Sequence, residues 1–168
     1  MTCPQFIAID ASSFEDSAHP VAIAWSLADG SIKTTLIQPD DDWQEDWDYA
    51  IEDLHGINRD TLFQRGETCW SVIRELENDI EQSFLFADDE ARVQQMLVLL
   101  YESCNREPNL EAGHYAEVIN RSDMETTPEP YHQTCDDRVY ALLMSWANAN
   151  PEAAMAINTI DLESTENN

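Results

Sequence analysis

The chain has 168 residues, 43% of them apolar and including five Trp, five Tyr and five Phe, which predicts one globular domain and excludes a disordered chain. Its 34 Asp and Glu residues face only eight Lys and Arg, for a formal net charge of −26. Nucleic-acid binders draw much of their affinity from clustered basic side chains, whereas the basic residues here are scattered along the sequence. The acidity indicates a solubilising surface, or alternatively a surface that binds a basic protein partner or imitates nucleic acid.

The cysteines and the first residues bear on the compartment. Cys3, Cys69, Cys104 and Cys135 lie far apart and form no Cys-x-x-Cys pair, which argues against a zinc site or a disulfide framework. Residues 1–5 have neither the basic segment nor the apolar stretch of a signal peptide, and no apolar run is long enough to cross a membrane. We therefore expect a cytoplasmic protein with reduced thiols.

The first part of the chain predicts β-structure. Residues 5–10 are apolar and then abruptly polar, as at the end of a buried strand. Two β-rich runs follow, at residues 21–27 and 31–38, and Ala-Asp-Gly at residues 28–30 joins them. An Asp-Gly pair between such runs is a strong signal for a β-hairpin.

The rest of the chain alternates between helical periodicity and short apolar runs. In chain order, the predicted elements are a short helix over 50–54, a segment closed by Gly66, a helix over 68–82, a strand over 84–87, a helix over 91–101, a helix or strand–helix piece over 109–120, a helix over 133–149 and a weak helix over 152–157. This order predicts a mixed sheet with helices packed on it. We expect residues 1–160 to form the domain and residues 161–168 to form a polar, disordered tail.

Three segments match the motifs of one enzyme family in order and spacing. They are IDASSF (residues 9–14) followed after five residues by PVAIAW (20–25), HGI (55–57) with Leu62 and Gly66, and HQTCDD (132–137). Together they resemble the DEDDh family of 3′→5′ exonucleases, and the resemblance runs over residues 5–147. It implies an RNase H-like α/β fold, with a central mixed sheet of about five strands and helices packed on it.

The resemblance also implies a chemistry. In the family, two divalent metal ions lie between four carboxylates and clamp the scissile phosphate, while a histidine acts as general base on the attacking water. Carried over to this sequence, the pattern makes His132 the base and makes Asp10 and Asp137 metal ligands. The implied cofactor is Mg²⁺ or Mn²⁺, and we expect these three side chains to converge on one cleft.

The first acidic motif, Asp-x-Glu in the family, is incomplete under either possible alignment. If Asp10 matches the family's first Asp, the Glu position falls on Ser12. If the Ala-Ser-Ser-aromatic run is matched instead, Asp10 takes the Glu position and the first Asp becomes Ala8. The second alignment is preferred because it preserves the distance to Pro20, and either one removes a carboxylate.

The second acidic motif is weaker still. Ala87-Asp88 matches its beginning, but the ligand position on the following helix falls on Val93, or on Arg92 after a slip of one residue. Neither side chain can hold Mg²⁺, which prefers oxygen ligands. Asp88 or its neighbour Asp89 is the remaining candidate for a third ligand, so metal binding is expected to be weak.

The sequence therefore predicts an exonuclease-like domain with a partly lost metal site, which is inactive or only weakly active. One alternative is a weak but active metal-dependent exonuclease that borrows acids from neighbouring positions. The other is an acidic interaction protein or nucleic-acid mimic, which rests on the charge alone. The family resemblance favours nucleic acid as the partner, whereas the charge disfavours it and favours a basic protein.

Overall fold

A mixed five-stranded sheet forms the centre of the computed structural model, which describes residues 3–124 and 133–153. The strands, in chain order, are β1 (Phe6–Ala11), β2 (Pro20–Ser26), β3 (Ile32–Leu36), β4 (Phe84–Ala87) and β5 (Glu111–His114). They lie side by side in the order β3-β2-β1-β4-β5. The predicted hairpin is present as β2 and β3, which pair antiparallel.

The central strand β1 sets the position of the polar residues that follow. It pairs antiparallel with β2 and parallel with β4, with Phe6 opposite Phe86. The predictions of a central first strand and of a parallel neighbour at Phe84–Ala87 are therefore confirmed. Because parallel strands end at the same edge of a sheet, Asp10 near the end of β1 and Asp88 directly after β4 come to one place.

Five α-helices lie within the described residues. They are α1 (Tyr49–His55), α2 (Arg59–Arg65), α3 (Cys69–Asp79), α4 (Glu90–Glu102) and α5 (Cys135–Ala149). One buried cluster joins Ile7 and Ile9 of β1 to apolar residues of α3 and α4. The other joins Phe6 and Ala8 to α5. Successive side chains of a strand point to opposite faces, so Asp10, two residues after Ala8, points towards α5.

Side-chain caps explain where four of these helices begin. Asp48, Asn58, Thr68 and Asp89 each accept a hydrogen bond from a backbone N–H in the first turn of α1, α2, α3 and α4, which satisfies a donor that the helix leaves open. The predicted helices over 50–54, 68–82, 91–101 and 133–149 are observed with boundaries shifted by a few residues. Helix α2, a short element of seven residues, was not predicted as a separate helix.

The segment HGI…L…G has a structural role at three positions. Gly56 ends α1 with φ of 69°, a left-handed conformation that glycine adopts at low cost. Leu62 of α2 is fully buried in the cluster beneath α5. Gly66 lies where the chain runs against Gln38, whose N–H donates to Glu67 O at 2.8 Å. The segment thus ends α1 and joins the end of α2 to the end of the hairpin at Gln38.

The remaining predictions concern residues 109–120, the cysteines, membrane crossing and the end of the chain. Residues 109–120 form β5 followed by a single 3₁₀ turn at Tyr115–Glu117, in agreement with a strand–helix piece. All four cysteines are free thiols. Within residues 3–124 and 133–153, no helix combines the length and apolar character that a membrane crossing needs. The tail over 161–168 and most of the weak helix over 152–157 lie outside the described residues.

Candidate functional site

A cleft of about 370 Å³ opens at the edge of the sheet where β1 and β4 end. Its floor is formed by the side chains of Asp10, Asp88 and Arg138, and its wall includes the apolar side chains of Phe14 and Ile51. In open α/β sheets, ligands bind outside the carboxyl ends of the strands. The cleft is therefore the candidate functional site of this fold.

Arg138 lies at the centre of the floor and joins the two carboxylates. Its Nη1 donates to Asp10 Oδ1 at 2.6 Å, and its Nε donates to Asp88 Oδ2 at 2.9 Å. The three side chains are almost completely buried, with 3%, 1% and 6% of the Arg138, Asp10 and Asp88 side chains exposed. Burial alone lowers the pKa of Arg138, but the carboxylates of Asp10 and then Asp88 outweigh it, so this pKa is raised above its usual value.

Two backbone carbonyls complete the surroundings of this guanidinium. Arg138 Nη1 also donates to Gln133 O at 2.8 Å, and its Nη2 donates to Ile9 O at 3.1 Å. Four oxygen atoms from β1, the residue after β4 and the segment before α5 therefore face one cation. Such charge-assisted hydrogen bonds are stronger than neutral ones, so the arginine holds three parts of the fold together.

Asp10 is held on its second oxygen by helix α5. Its Oδ2 accepts the backbone N–H of Cys135, the first residue of the helix, at 2.9 Å. A carboxylate at a helix N-terminus is stabilised both by that hydrogen bond and by the helix dipole. Both oxygens of Asp10 thus have protein hydrogen-bond donors, Arg138 on Oδ1 and the first N–H of α5 on Oδ2.

His55 also lines the cleft. From the sequence it stood out only as part of the HGI segment and was not a predicted site residue. It is the last residue of α1, and its Nδ1 lies 4.0 Å from Asp10 Oδ1. Only 4% of its side chain is exposed. The motif that aligned residues 55–57 with the family was the signal that could have identified it.

Two of the three predicted metal ligands lie in the cleft and the third does not. Asp10 and Asp88 are brought together on Arg138. Asp137 is exposed on α5 and accepts a hydrogen bond from Thr134 Oγ1 at 3.1 Å, and it is not among the residues that line the cleft. The next residue, Arg138, reaches the cleft instead. The predicted base, His132, lies outside the described residues.

The positions that had lost a carboxylate offer no replacement. Ala8 is fully buried beneath α5, and Ser12 Oγ accepts the backbone N–H of His19 at 3.0 Å. Val93 is buried in the core at 2% exposure. Arg92 points along the cleft wall and donates to Ser13 O at 2.7 Å. Both alignments of the first motif and both of the second therefore place a non-acidic side chain at the missing ligand.

The site does not fit the pair of divalent ions that the resemblance implies. Among residues 3–124 and 133–153, no three His, Cys, Asp or Glu side chains are grouped so that they could hold a metal ion. The neighbouring candidate Asp89 uses its Oδ1 to cap α4. The two carboxylates that do meet, Asp10 and Asp88, already share a buried cation of the protein itself.

Three of the basic residues outside the cleft are also paired with acids. Lys33 binds Asp79 at 2.8 Å and Glu75 at 3.2 Å. Arg106 binds Glu77 at 2.8 Å, and Arg59 binds Glu45. These pairs reduce the positive charge available to a phosphate backbone even further than the composition implies.

Solved structures of exonuclease I share this fold. A ligand-free exonuclease I superposes with a TM-score of 0.63 at 10% identity over 89% of this chain and 42% of that one. A zinc-bound complex of the E. coli enzyme with single-stranded DNA has a TM-score of 0.63 at 11% identity, over 92% of this chain and 42% of that one. A product-bound exonuclease I has a TM-score of 0.61 at 10% identity, over 89% of this chain and 44% of that one.

This likeness confirms the predicted fold class, an α/β domain with a mixed five-stranded sheet and helices packed on it. The chain spans less than half the length of the exonuclease I chains that it matches. No family model matches the sequence, and no curated protein matches it either.

Proposed function

We propose that this chain is a DEDDh-like exonuclease domain that has lost metal-dependent hydrolysis and acts by binding a partner. One observation carries the proposal: the buried guanidinium of Arg138 bridges Asp10 and Asp88 at the floor of the cleft. In nucleases of this kind, the corresponding edge of the sheet must attract metal ions. Here two carboxylates at that edge bind the guanidinium of a protein side chain instead.

The chemistry of phosphodiester hydrolysis makes this substitution decisive. A two-metal site activates the attacking water with one ion and stabilises the leaving oxygen with the other. A guanidinium can stabilise negative charge, but its pKa is too high for it to act as a base or to lower the pKa of a water as a metal does. With Val93 or Arg92 at the further ligand position, the described part of the chain supplies no carboxylate there for a second ion.

The charge distribution favours a basic protein as the partner over nucleic acid. The net charge of −26 repels phosphate groups. Electrostatic attraction instead speeds the encounter with a positively charged surface and selects against acidic partners. The exonuclease I structures in complex with single-stranded DNA keep nucleic acid as the alternative that the experiment must test.

We expect the purified chain to leave single-stranded DNA and RNA oligonucleotides at full length with either Mg²⁺ or Mn²⁺. The matched control is Asp137→Ala, which changes an exposed predicted ligand and leaves the buried cluster intact. Electrophoresis of a 5′-labelled oligonucleotide over time measures the shortening. Metal-dependent 3′ shortening that Asp137→Ala abolishes would contradict the loss of hydrolysis and support the weak-enzyme alternative.

The same oligonucleotides test the choice of partner. We expect their fluorescence anisotropy to show no saturable binding at low or at physiological ionic strength, because repulsion is greatest when salt is low. Saturable binding that weakens as salt is added would instead identify nucleic acid as the partner.

A further inference from the structure

We propose that a groove at the start of β4 is the docking site for an arginine side chain of a basic protein partner. The groove has a volume of about 280 Å³, and Phe84 and Phe86 of β4 line it together with Gln5, the residue before β1. It therefore lies where β1 and β4 begin, at the opposite end of these strands from the cleft. The inference rests on the proposed function, because it names the surface on which the basic partner docks.

Two phenylalanine rings form the apolar part of this groove. Phe84 and Phe86 meet edge to face with their ring centroids 5.2 Å apart, and Phe84 is 37% exposed. The Phe84 ring also lies against Gly113 of β5, where a Cβ would be 2.7 Å from Phe84 Cζ. Because Gly113 has no side chain, the ring rests directly on the neighbouring strand. An exposed ring supported in this way is a platform for a guanidinium, which stacks on aromatic faces.

Three exposed carboxylates lie around this platform. Glu111 is opposite Phe84 in the register of β4 and β5, so both side chains are on the same face of the sheet. Glu117 Oε2 would also meet a Cβ on Gly113, which places this carboxylate beside the Phe84 ring. The third, Glu81, lines the groove. Within residues 3–124 and 133–153, none of these three glutamates forms an ion pair with a basic side chain.

Aromatic rings beside unpaired carboxylates select a positively charged side chain with an apolar stem. An arginine packs its methylene groups on apolar surface while its guanidinium donates to carboxylates. Arginine is favoured over lysine because its planar group can both stack on a ring and donate to a carboxylate. The net charge of −26 attracts a basic partner in general, and the groove adds a specific contact to that attraction.

The experiment measures the fluorescence anisotropy of a labelled peptide of alternating glycine and arginine, titrated with the full chain at physiological ionic strength. We expect saturable binding that Phe84→Ala and Glu117→Gln each weaken about three- to fivefold. Phe63→Ala and Asp60→Asn are the matched controls, because they remove an exposed ring and an exposed carboxylate from α2, away from the groove. Both controls should bind the peptide as the wild type does.

Equal weakening by Glu117→Gln and Asp60→Asn would mean that only net charge matters, and it would overturn the docking site. Circular dichroism checks the fold of each variant, and Glu117→Gln decides the question if Phe84→Ala does not fold. Self-association of the chain that Phe84→Ala abolishes would assign the groove to a second copy and overturn the proposal as well. Hydrolysis or saturable binding of the oligonucleotides would contradict the proposed function, whereas an absence of peptide binding would contradict only the docking site.

Discussion

Replacing Arg138 with methionine is expected to lower the free energy of unfolding by about 3–5 kcal/mol, as is usual when one partner of a buried ion pair is removed. The loss leaves the carboxylates of Asp10 and Asp88 buried without the cation that both bind. It also removes donors from the carbonyls of Ile9 and Gln133. Because a domain is stable by only about 5–15 kcal/mol in total, the variant is expected to unfold at much lower denaturant concentration.

Urea unfolding followed by tryptophan fluorescence measures this loss, and Arg106→Met provides the comparison. The Arg106 side chain is 42% exposed in its pair with Glu77, so its removal should cost less than about 1 kcal/mol. A variant that also carries Asp10→Asn and Asp88→Asn should regain part of the stability lost in Arg138→Met, because no uncompensated charge remains. Similar losses at Arg138 and Arg106 would show that the buried cluster is not a special contributor.

The second large effect is expected at Gly66, where alanine should cost about 2–3 kcal/mol through overpacking. A Cβ there would lie 2.6 Å from Gln38 N and 2.9 Å from Gln38 Cα, and would also meet Leu62 O. All three atoms belong to the backbone, so none can turn away as the end of a side chain could. The hydrogen bond from Gln38 N–H to Glu67 O would have to lengthen or break.

Gly56→Ala is the matched control for this effect. Gly56 has φ of 69° and no atom within 4 Å of an added Cβ, so its substitution carries only the conformational cost of about 1 kcal/mol. Equilibrium unfolding in urea compares the two variants directly. A smaller loss for Gly66→Ala than for Gly56→Ala would mean that the loop at Gln38 moves without cost.

Much of the fold could be predicted from the sequence because its signals are local. The apolar run of β1 that ends abruptly at a polar residue, the Asp-Gly hairpin and the helical spacing of apolar residues in α3, α4 and α5 each depend on residues close together in the chain. The motif order then indicated the neighbours of β1. Helix α2 was not predicted, because seven residues with one fully buried leucine show too little helical periodicity.

The tertiary structure decides which side chains lie in the cleft. The sequence pointed to Asp10 and Asp88, yet the pattern at 132–137 drew attention to Asp137 rather than to Arg138. Neighbouring residues on a helix point about 100° apart, so a shift of one position exchanges an exposed carboxylate for a buried guanidinium. No local sequence pattern specifies the rotation of α5 about its own axis. Only the packing of α5 against β1 decides which of the two side chains faces the carboxylates, because long-range contacts set the rotation of a helix about its axis.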